Sequence, residues 1–230
     1  MKTDIEIAQE AKMKPITEIA AQLGLSDEHV IPYGRYKAKI DHRLIHDAKK
    51  QGKLILVTAI SPTPAGEGKT TTTIALIDAL RERGIDAAAV LRQPSMGITA
   101  AGSKGGASGG GKASLTHPEL IDWGLCGEMG AIEAAQNLLV SFAEKAIDDG
   151  KLDDIAVPRV SEVPSRSLRQ IAVDRGKGNV AERVVLTPTC ELMQIVVLSR
   201  SMDEISERVS KMIAGTKDGK AVDPNEYLSG

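Results

Sequence analysis

Apolar positions follow a helical period in some stretches of this chain and run unbroken in others, and the alternation between the two marks its elements. Residues 5–24 read as helix, interrupted by Pro15, which suits the first turn of a second segment ending at Gly24. Ser26 is placed to cap a short helix after it. Residues 54–60, LILVTAI, form a continuous apolar run of the kind a buried parallel strand shows. A Pro/Gly-rich turn follows, then TTTTIALIDALRER, an amphipathic helix stopped at Gly84. Residues 86–91 form a second apolar strand. Strand, turn, helix and strand make one βαβ unit, which belongs in a parallel sheet with a right-handed crossover.

Beyond it, seven of the fifteen residues 97–111 are glycine, too many for a helix or a central strand. Their place after a strand points to a ligand-facing loop. The pattern then predicts helices over 129–147, 164–171, 191–198 and 203–213, and a strand at 184–186. No internal repeat and no linker divides the chain. It reads as one domain over 1–230, with residues 1–50 a helical N-terminal extension. The basic residues Arg35, Lys37, Lys39, Arg43, Lys49, Lys50 and Lys53 read as a solvated helix face.

Composition narrows the classes. At 230 residues, with 42% hydrophobic and 26% charged positions, the chain has the make-up of an ordinary folded domain. Its apolar runs fall far short of the roughly 20 residues a bilayer crossing needs, and residues 1–10 have no leader pattern. A cytoplasmic protein without membrane partners is expected. The net charge of −2 offers nothing to nucleic acid. Cys126 and Cys190 are too few and too far apart for a disulfide scaffold or a Cys-rich zinc site, and read as core thiols.

The sharpest chemical signal is TPAGEGKT, residues 63–70. The phosphate-loop pattern is G-x-x-x-x-G-K-[ST]; Thr63 replaces its first glycine, while Gly68, Lys69 and Thr70 match. Gly66 and Gly68 let the backbone of Thr63, Pro64, Ala65, Gly66, Glu67 and Gly68 curl with its N–H groups turned towards phosphate oxygens. The helix that follows adds its N-terminal donors and dipole. Lys69 supplies positive charge near the β- and γ-phosphates, and the Thr70 hydroxyl is placed to ligate Mg²⁺. The nearest string to a guanine-reading motif, Thr216-Lys217-Asp218-Gly219, lacks its final aspartate, so guanine specificity is not expected. The fold class expected is α/β, P-loop NTPase-like, with a mainly parallel sheet flanked by helices.

These motifs, with the opening MKTDIEIAQEAKMKPITEIAAQLGL and the segments YGRYKAKI, LILVTAISPTPAGEGKTTTTIAL, RQPSMG and KGGASGGG, resemble the formate–tetrahydrofolate ligase (formyltetrahydrofolate synthetase) family. AIEAAQNLL, RVSEVPSRSLRQI and TPTCELMQIVVL are similar to later family blocks. The resemblance runs from Met1 to about residue 228 and is very specific up to Gly111 and looser afterwards. It implies the N-terminal nucleotide-binding portion only, without the C-terminal folate-binding portion. It further implies that ATP phosphorylates formate and that the formyl group passes to tetrahydrofolate. Arg92 would bind the formyl phosphate as a second catalytic residue beside Lys69, and Gly105 and Gly106 would close over the phosphates. A monovalent cation, a homo-oligomer, and a second chain supplying the folate site are also implied.

The chain departs from the family pattern at several positions. Gln93 stands where the family has glutamate, and Lys112 where it has tyrosine. Two family histidines within 124–130 are glycine here, and Glu128 replaces an aspartate. Two other functions remain open: a nucleotide-binding module that has lost ligase chemistry and serves as a regulatory or assembly partner, and a plain P-loop ATPase. His42 and His46, four apart, read as a solvated helix face, since Arg43 stands where a zinc-protease motif needs glutamate. His117 supports no assignment, and Glu191 reads either as structural or as lining the nucleotide site.

Overall fold

The computed structural model of the chain describes all residues except Met1, Ala48, Lys50, Gln51, Pro62, Pro64, Ala65, 93–108, Gly111, 164–166, 175–177 and 229–230. Its contacts gather into two compact units, Met1–Pro94 with Gly106–Cys126, and Ser95–Gly105 with Gly127–Gly230.

The first unit opens with α1 (Asp4–Glu10), whose N-cap Thr3 and third residue Glu6 form a reciprocal capping box. Pro15 is the N-cap of α2 (Ile16–Gln22), one position before the helical first turn. A hairpin follows, β1 (Val30–Pro32) antiparallel to β2 (Ala38–Ile40). The stretch 1–50 is therefore helical only in part. Lys37, expected on a solvated helix face, lies between these strands. Its ammonium donates to the carbonyls of Leu120 and Leu125 and stands 5.0 Å from the centroid of the Tyr33 ring. After α3 (Leu44–Asp47) comes α4 (Lys69–Glu82), and the two-residue strands β3 (Gly109–Gly110) and β4 (Ala113–Ser114) pair antiparallel and lie against it. α4 ends with the Ile85 amide on the Leu80 carbonyl and the Gly84 amide on that of Arg81, the double closure expected where a glycine follows a helix. The short α5 (Glu119–Asp122) completes the unit.

The second unit is built on α6 (Glu128–Asp148). Met129, Gln136, Val140, Ala143 and Ala146 are its buried face, at the three-, four- and seven-residue spacings of an amphipathic helix. Val140 packs with Val157, Ile195 and Met212; Ala143 and Ala146 pack with Leu152, Ala214, Val222 and Tyr227. One sheet runs in the order β10 (Lys220–Val222), β9 (Gly215–Lys217), β5 (Asp154–Ile155), and another β6 (Arg159–Ser161), β8 (Asn179–Leu186), β7 (Gln170–Asp174). Helices α7 (Glu191–Leu198) and α8 (Met202–Ser210) are capped by the Cys190 sulfur and the Ser201 hydroxyl; α9 (Pro224–Leu228) follows.

The side chains of α6 complete the open edge of β6. The Asn137 amide donates to the Val160 carbonyl (3.1 Å) and accepts its N–H (3.0 Å), as a neighbouring strand would. One turn earlier, the Glu133 carboxylate takes the Glu162 N–H at 2.9 Å. Gln136 donates to the Pro158 carbonyl. A strand edge is thereby covered by helix side chains instead of by another strand.

The expected mainly parallel sheet is not what forms. Of the six strand pairings among the described residues, only β6 with β8 is parallel; the other five are antiparallel. Residues 54–60 and 86–91, expected as neighbouring parallel strands, belong to no ladder among the described residues. Leu54 (95%), Leu56 (81%), Ile60 (105%) and Val90 (93%) are exposed. An apolar run suits a parallel strand, but the strand exists only when a distant segment supplies both its ladder and its cover. The pairings that do form include ones closed by short turns. Asp218 and Gly219, both at positive φ (49° and 73°), join β9 to β10 in the manner of an Asp-Gly hairpin turn. The helix expected over 164–171 is also corrected: Ile171 lies in β7, paired with Glu182 of β8, and 164–166 lie outside the described residues. The helices expected at 129–147, 191–198 and 203–213 and the strand at 184–186 are found as α6, α7, α8 and the end of β8.

Candidate nucleotide site

The loop entering α4 is the best-formed candidate for chemistry. Gly66 has φ +88° and Gly68 φ +68°, and the Gly66 amide turns back onto the Thr63 carbonyl at 3.1 Å. Gly68 is the N-cap of α4, and its left-handed backbone is one that a side chain would strain. The first helical bond runs from the Thr72 amide to the Gly68 carbonyl (2.8 Å). The amides of Lys69, Thr70 and Thr71 therefore have no acceptor within the helix, and the N-cap, a glycine, offers no side chain to them. Glu67 and Lys69 are exposed and Thr70 is half-buried, so donors, ammonium and hydroxyl stand at one helix end. A helix start with free donors and a lysine is suited to a polyanion.

This donor set fits a nucleotide phosphate and its Mg²⁺. Mg²⁺ at such a site keeps several waters and takes phosphate oxygens, so it needs few protein ligands. No group of three or more His, Cys, Asp or Glu side chains able to hold a metal is present among the described residues. Thr70 is the protein ligand the motif offers.

Arg92 ends the segment 85–92 and is exposed. Among the described residues no hydrogen bond or ion pair joins it to Lys69 or Thr70. Near the start of that segment Arg81 Nη1 donates to the Ala87 carbonyl at 3.1 Å. This contact was not legible in the sequence, since a basic side chain in the last turn of a helix is common for electrostatic reasons alone. Pro64, Ala65, Gly105 and Gly106, expected to line the nucleotide, lie outside the described residues.

The structure places the lesser candidates as follows. His42 precedes α3 instead of sharing it with His46, and its Nδ1 is 3.8 Å from Asp41, a carboxylate held well below its usual range by hydrogen bonds from Arg43. His117 Nδ1 is 2.8 Å from Glu119 Oε1. Burial alone would raise the Glu119 carboxyl, but the backbone hydrogen bond and His117 hold it below the usual range. Glu128 opens α6 and Glu191 opens α7, each in a first turn that favours negative charge. Both cysteines are buried, and burial pushes the Cys190 thiol up, which keeps it protonated and unreactive.

The family model for formate–tetrahydrofolate ligase matches residues 2–227 of this chain. The chain belongs to the formate–tetrahydrofolate ligase family. It is 76% identical over 220 residues to a formate–tetrahydrofolate ligase of Bifidobacterium longum (strain NCC 2705), covering 94% of this chain and 43% of that protein. With one of Oenococcus oeni it shares 44% identity over 221 residues, 93% of this chain and 40% of that protein. The chain thus spans about two fifths of the length of these curated relatives. The reading of the resemblance as an N-terminal nucleotide-binding portion only is corrected: the formate–tetrahydrofolate ligase match takes in residues 2–227, through both compact units, and agrees with the expected span of the resemblance.

Proposed function

We propose that the chain takes part in ATP-dependent formate–tetrahydrofolate ligation, with the loop 63–70 holding the nucleotide phosphates. The observation that carries this reading is the uncapped start of α4, where Gly68, Lys69 and Thr70 stand together. Its membership of the ligase family supports the same reading.

The chemistry asks little covalent work of the protein. A formate oxygen attacks the γ-phosphorus of ATP in line, the bond to the β–γ bridging oxygen breaks, and ADP leaves with that electron pair. The product, formyl phosphate, then gives its formyl carbon to an amine nitrogen of tetrahydrofolate and releases phosphate and a proton. The first-turn amides of α4 hold the phosphates in place, and Lys69 offsets charge on the transferred group. Thr70 would hold Mg²⁺, which would supply further charge neutralisation there. Arg92 binds the formyl phosphate, and Gly105 and Gly106 close over it. A monovalent cation, a homo-oligomer and a second polypeptide supplying the folate side belong to the same proposal, as does the organisation of 1–230 as a single nucleotide-binding domain in the cytoplasm. No helix among the described residues is long and apolar enough to cross a membrane.

Calorimetric titration with Mg·ATP, followed by ADP release with and without formate, tests the reading. Binding with formate-stimulated release is expected. Lys69→Ala should lower that release by roughly 100-fold or more while leaving the circular dichroism unchanged. One feature favours a second reading, a nucleotide-binding module without ligase chemistry: two family histidines within 124–130 are glycine here, and Gly124 and Gly127 in that stretch take positive φ (88° and 90°). ATP binding with no effect of formate would select it.

A further inference from the structure

Glu162 follows β6 directly, and only 8% of it is exposed. Its Oε1 is buried and has no hydrogen-bond partner among the described residues. A second acid stands beside it: the Glu133 carboxylate, on α6, accepts the Glu162 N–H at 2.9 Å. Burial, and then the Glu133 charge, act against the ionised form of Glu162. Among the described residues no lysine, arginine or histidine pairs with either carboxylate. The neighbouring packing is apolar, with Met129 and Ile132 of α6 against Val160 of β6. Gly130, one turn before Glu133, is exposed, and a Cβ there would meet only Glu162 Oε2, at 3.7 Å. The missing side chain leaves an approach to the carboxylate from solvent.

Two acids beside an apolar cluster are costly to ionise together unless a positive charge joins them. A proton is a poor solution here. Placed on Glu162 Oε1, it would be a buried donor with no acceptor, which carries its own desolvation cost. A small hard cation answers both needs, since it takes oxygen donors and neutralises the pair at once. Mg²⁺ in particular is bound through one or two carboxylates, with water completing its shell, so a two-acid site open to solvent at a glycine suits it.

We propose that Glu133 and Glu162 hold a divalent cation of the Mg²⁺ class beside Gly130, tying the second turn of α6 to the end of β6. The ion would be a clamp between helix and strand at the edge that Asn137 already closes one turn later. No nucleotide is involved, and nothing in the proposal depends on the reading of the loop 63–70.

The test uses the full chain without nucleotide, stripped with a chelator and then titrated with MgCl₂ against NaCl of equal ionic strength. The melting temperature should rise with Mg²⁺ and saturate, with a midpoint of roughly 1 mM or below, and NaCl should not reproduce the rise. Mn²⁺, counted by electron paramagnetic resonance, should bind at about one ion per chain and be displaced by Mg²⁺. Glu133→Gln and Glu162→Gln keep the side-chain shape and should each weaken Mn²⁺ binding at least ~10-fold. Glu162→Gln also carries a change of sign: it should raise the melting temperature in chelator and abolish the further rise with Mg²⁺. Glu207→Gln, from an exposed pair with Lys211 on α8, should leave Mn²⁺ affinity unchanged. The proposal is overturned if MgCl₂ and NaCl give the same melting curve, if either Glu133→Gln or Glu162→Gln binds Mn²⁺ as the parent does, or if Glu207→Gln loses as much affinity as they do.

Discussion

Arg81, in the last turn of the helix that begins at Lys69, donates to the carbonyl of Ala87, five residues before Arg92. One guanidinium thus ties the helix carrying the phosphate-loop lysine to the segment carrying the second proposed catalytic residue. Arg81→Ala should speed amide exchange across 85–91. It should also lower formate-dependent ADP release about 3- to 10-fold at unchanged KM for ATP, the worth of one hydrogen bond. Arg81→Lys should restore part of it. A change in ATP KM alone would show that Arg81 acts on the nucleotide and not on Arg92.

Glu162 is a carboxylate only 8% exposed, with no hydrogen-bond partner for Oε1 among the described residues and Glu133 close by. Burial first, and the Glu133 charge second, push its carboxyl above the usual range. The folded state therefore binds this proton more tightly than the unfolded chain. The group costs nothing below the unfolded value near 4.5, and stability falls as pH rises from there through the raised folded value. Glu162→Gln should raise the melting temperature at pH 7.5 and have little effect at pH 4. Equal shifts at both pH values would mean that packing, not charge, governs the site.

Gly215 opens β9 against β5. A Cβ there would collide with the Asp154 carbonyl oxygen and sit 3.1 Å from Leu152 Cδ1. The backbone cannot yield without opening the pairing of Gly215 with Ile155. Gly215→Ala should destabilise the chain by about 2 kcal/mol or more in urea unfolding. An unchanged midpoint would show that the two strands lie farther apart in solution.

Lys37 holds the carbonyls of Leu120 and Leu125 on either side of Trp123. Lys37→Met keeps the aliphatic stem and removes the charged donor. It should cost about 2 kcal/mol and loosen 120–125, seen as faster exchange and altered Trp123 fluorescence. Arg at this position should retain most of the effect of lysine. Fluorescence identical to the parent would argue that the two bonds do not hold the turn.

Much of this protein is determined by sequence alone, because local physics sufficed. The helices from 69, 128 and 191 follow from apolar periodicity together with Gly68, Gly127 and Cys190 at their starts, and Gly84 stops the first of them. The loop proposed to hold phosphates is equally local, since Gly66 and Gly68 take positive φ within it and Lys69 opens the helix that follows. Tertiary structure decided what depends on segments far apart in the chain. Whether 54–60 becomes a strand depends on a neighbour, and the run itself carries no information about which neighbour arrives. Lys37 reads as solvated until a turn more than 80 residues away presents two carbonyls to it. The edge of β6 is closed by Glu133 and Asn137, whose helical spacing is visible in sequence but whose partners are not. Helices and loops close their hydrogen bonds within a few residues; sheets and buried charges close theirs only across the fold.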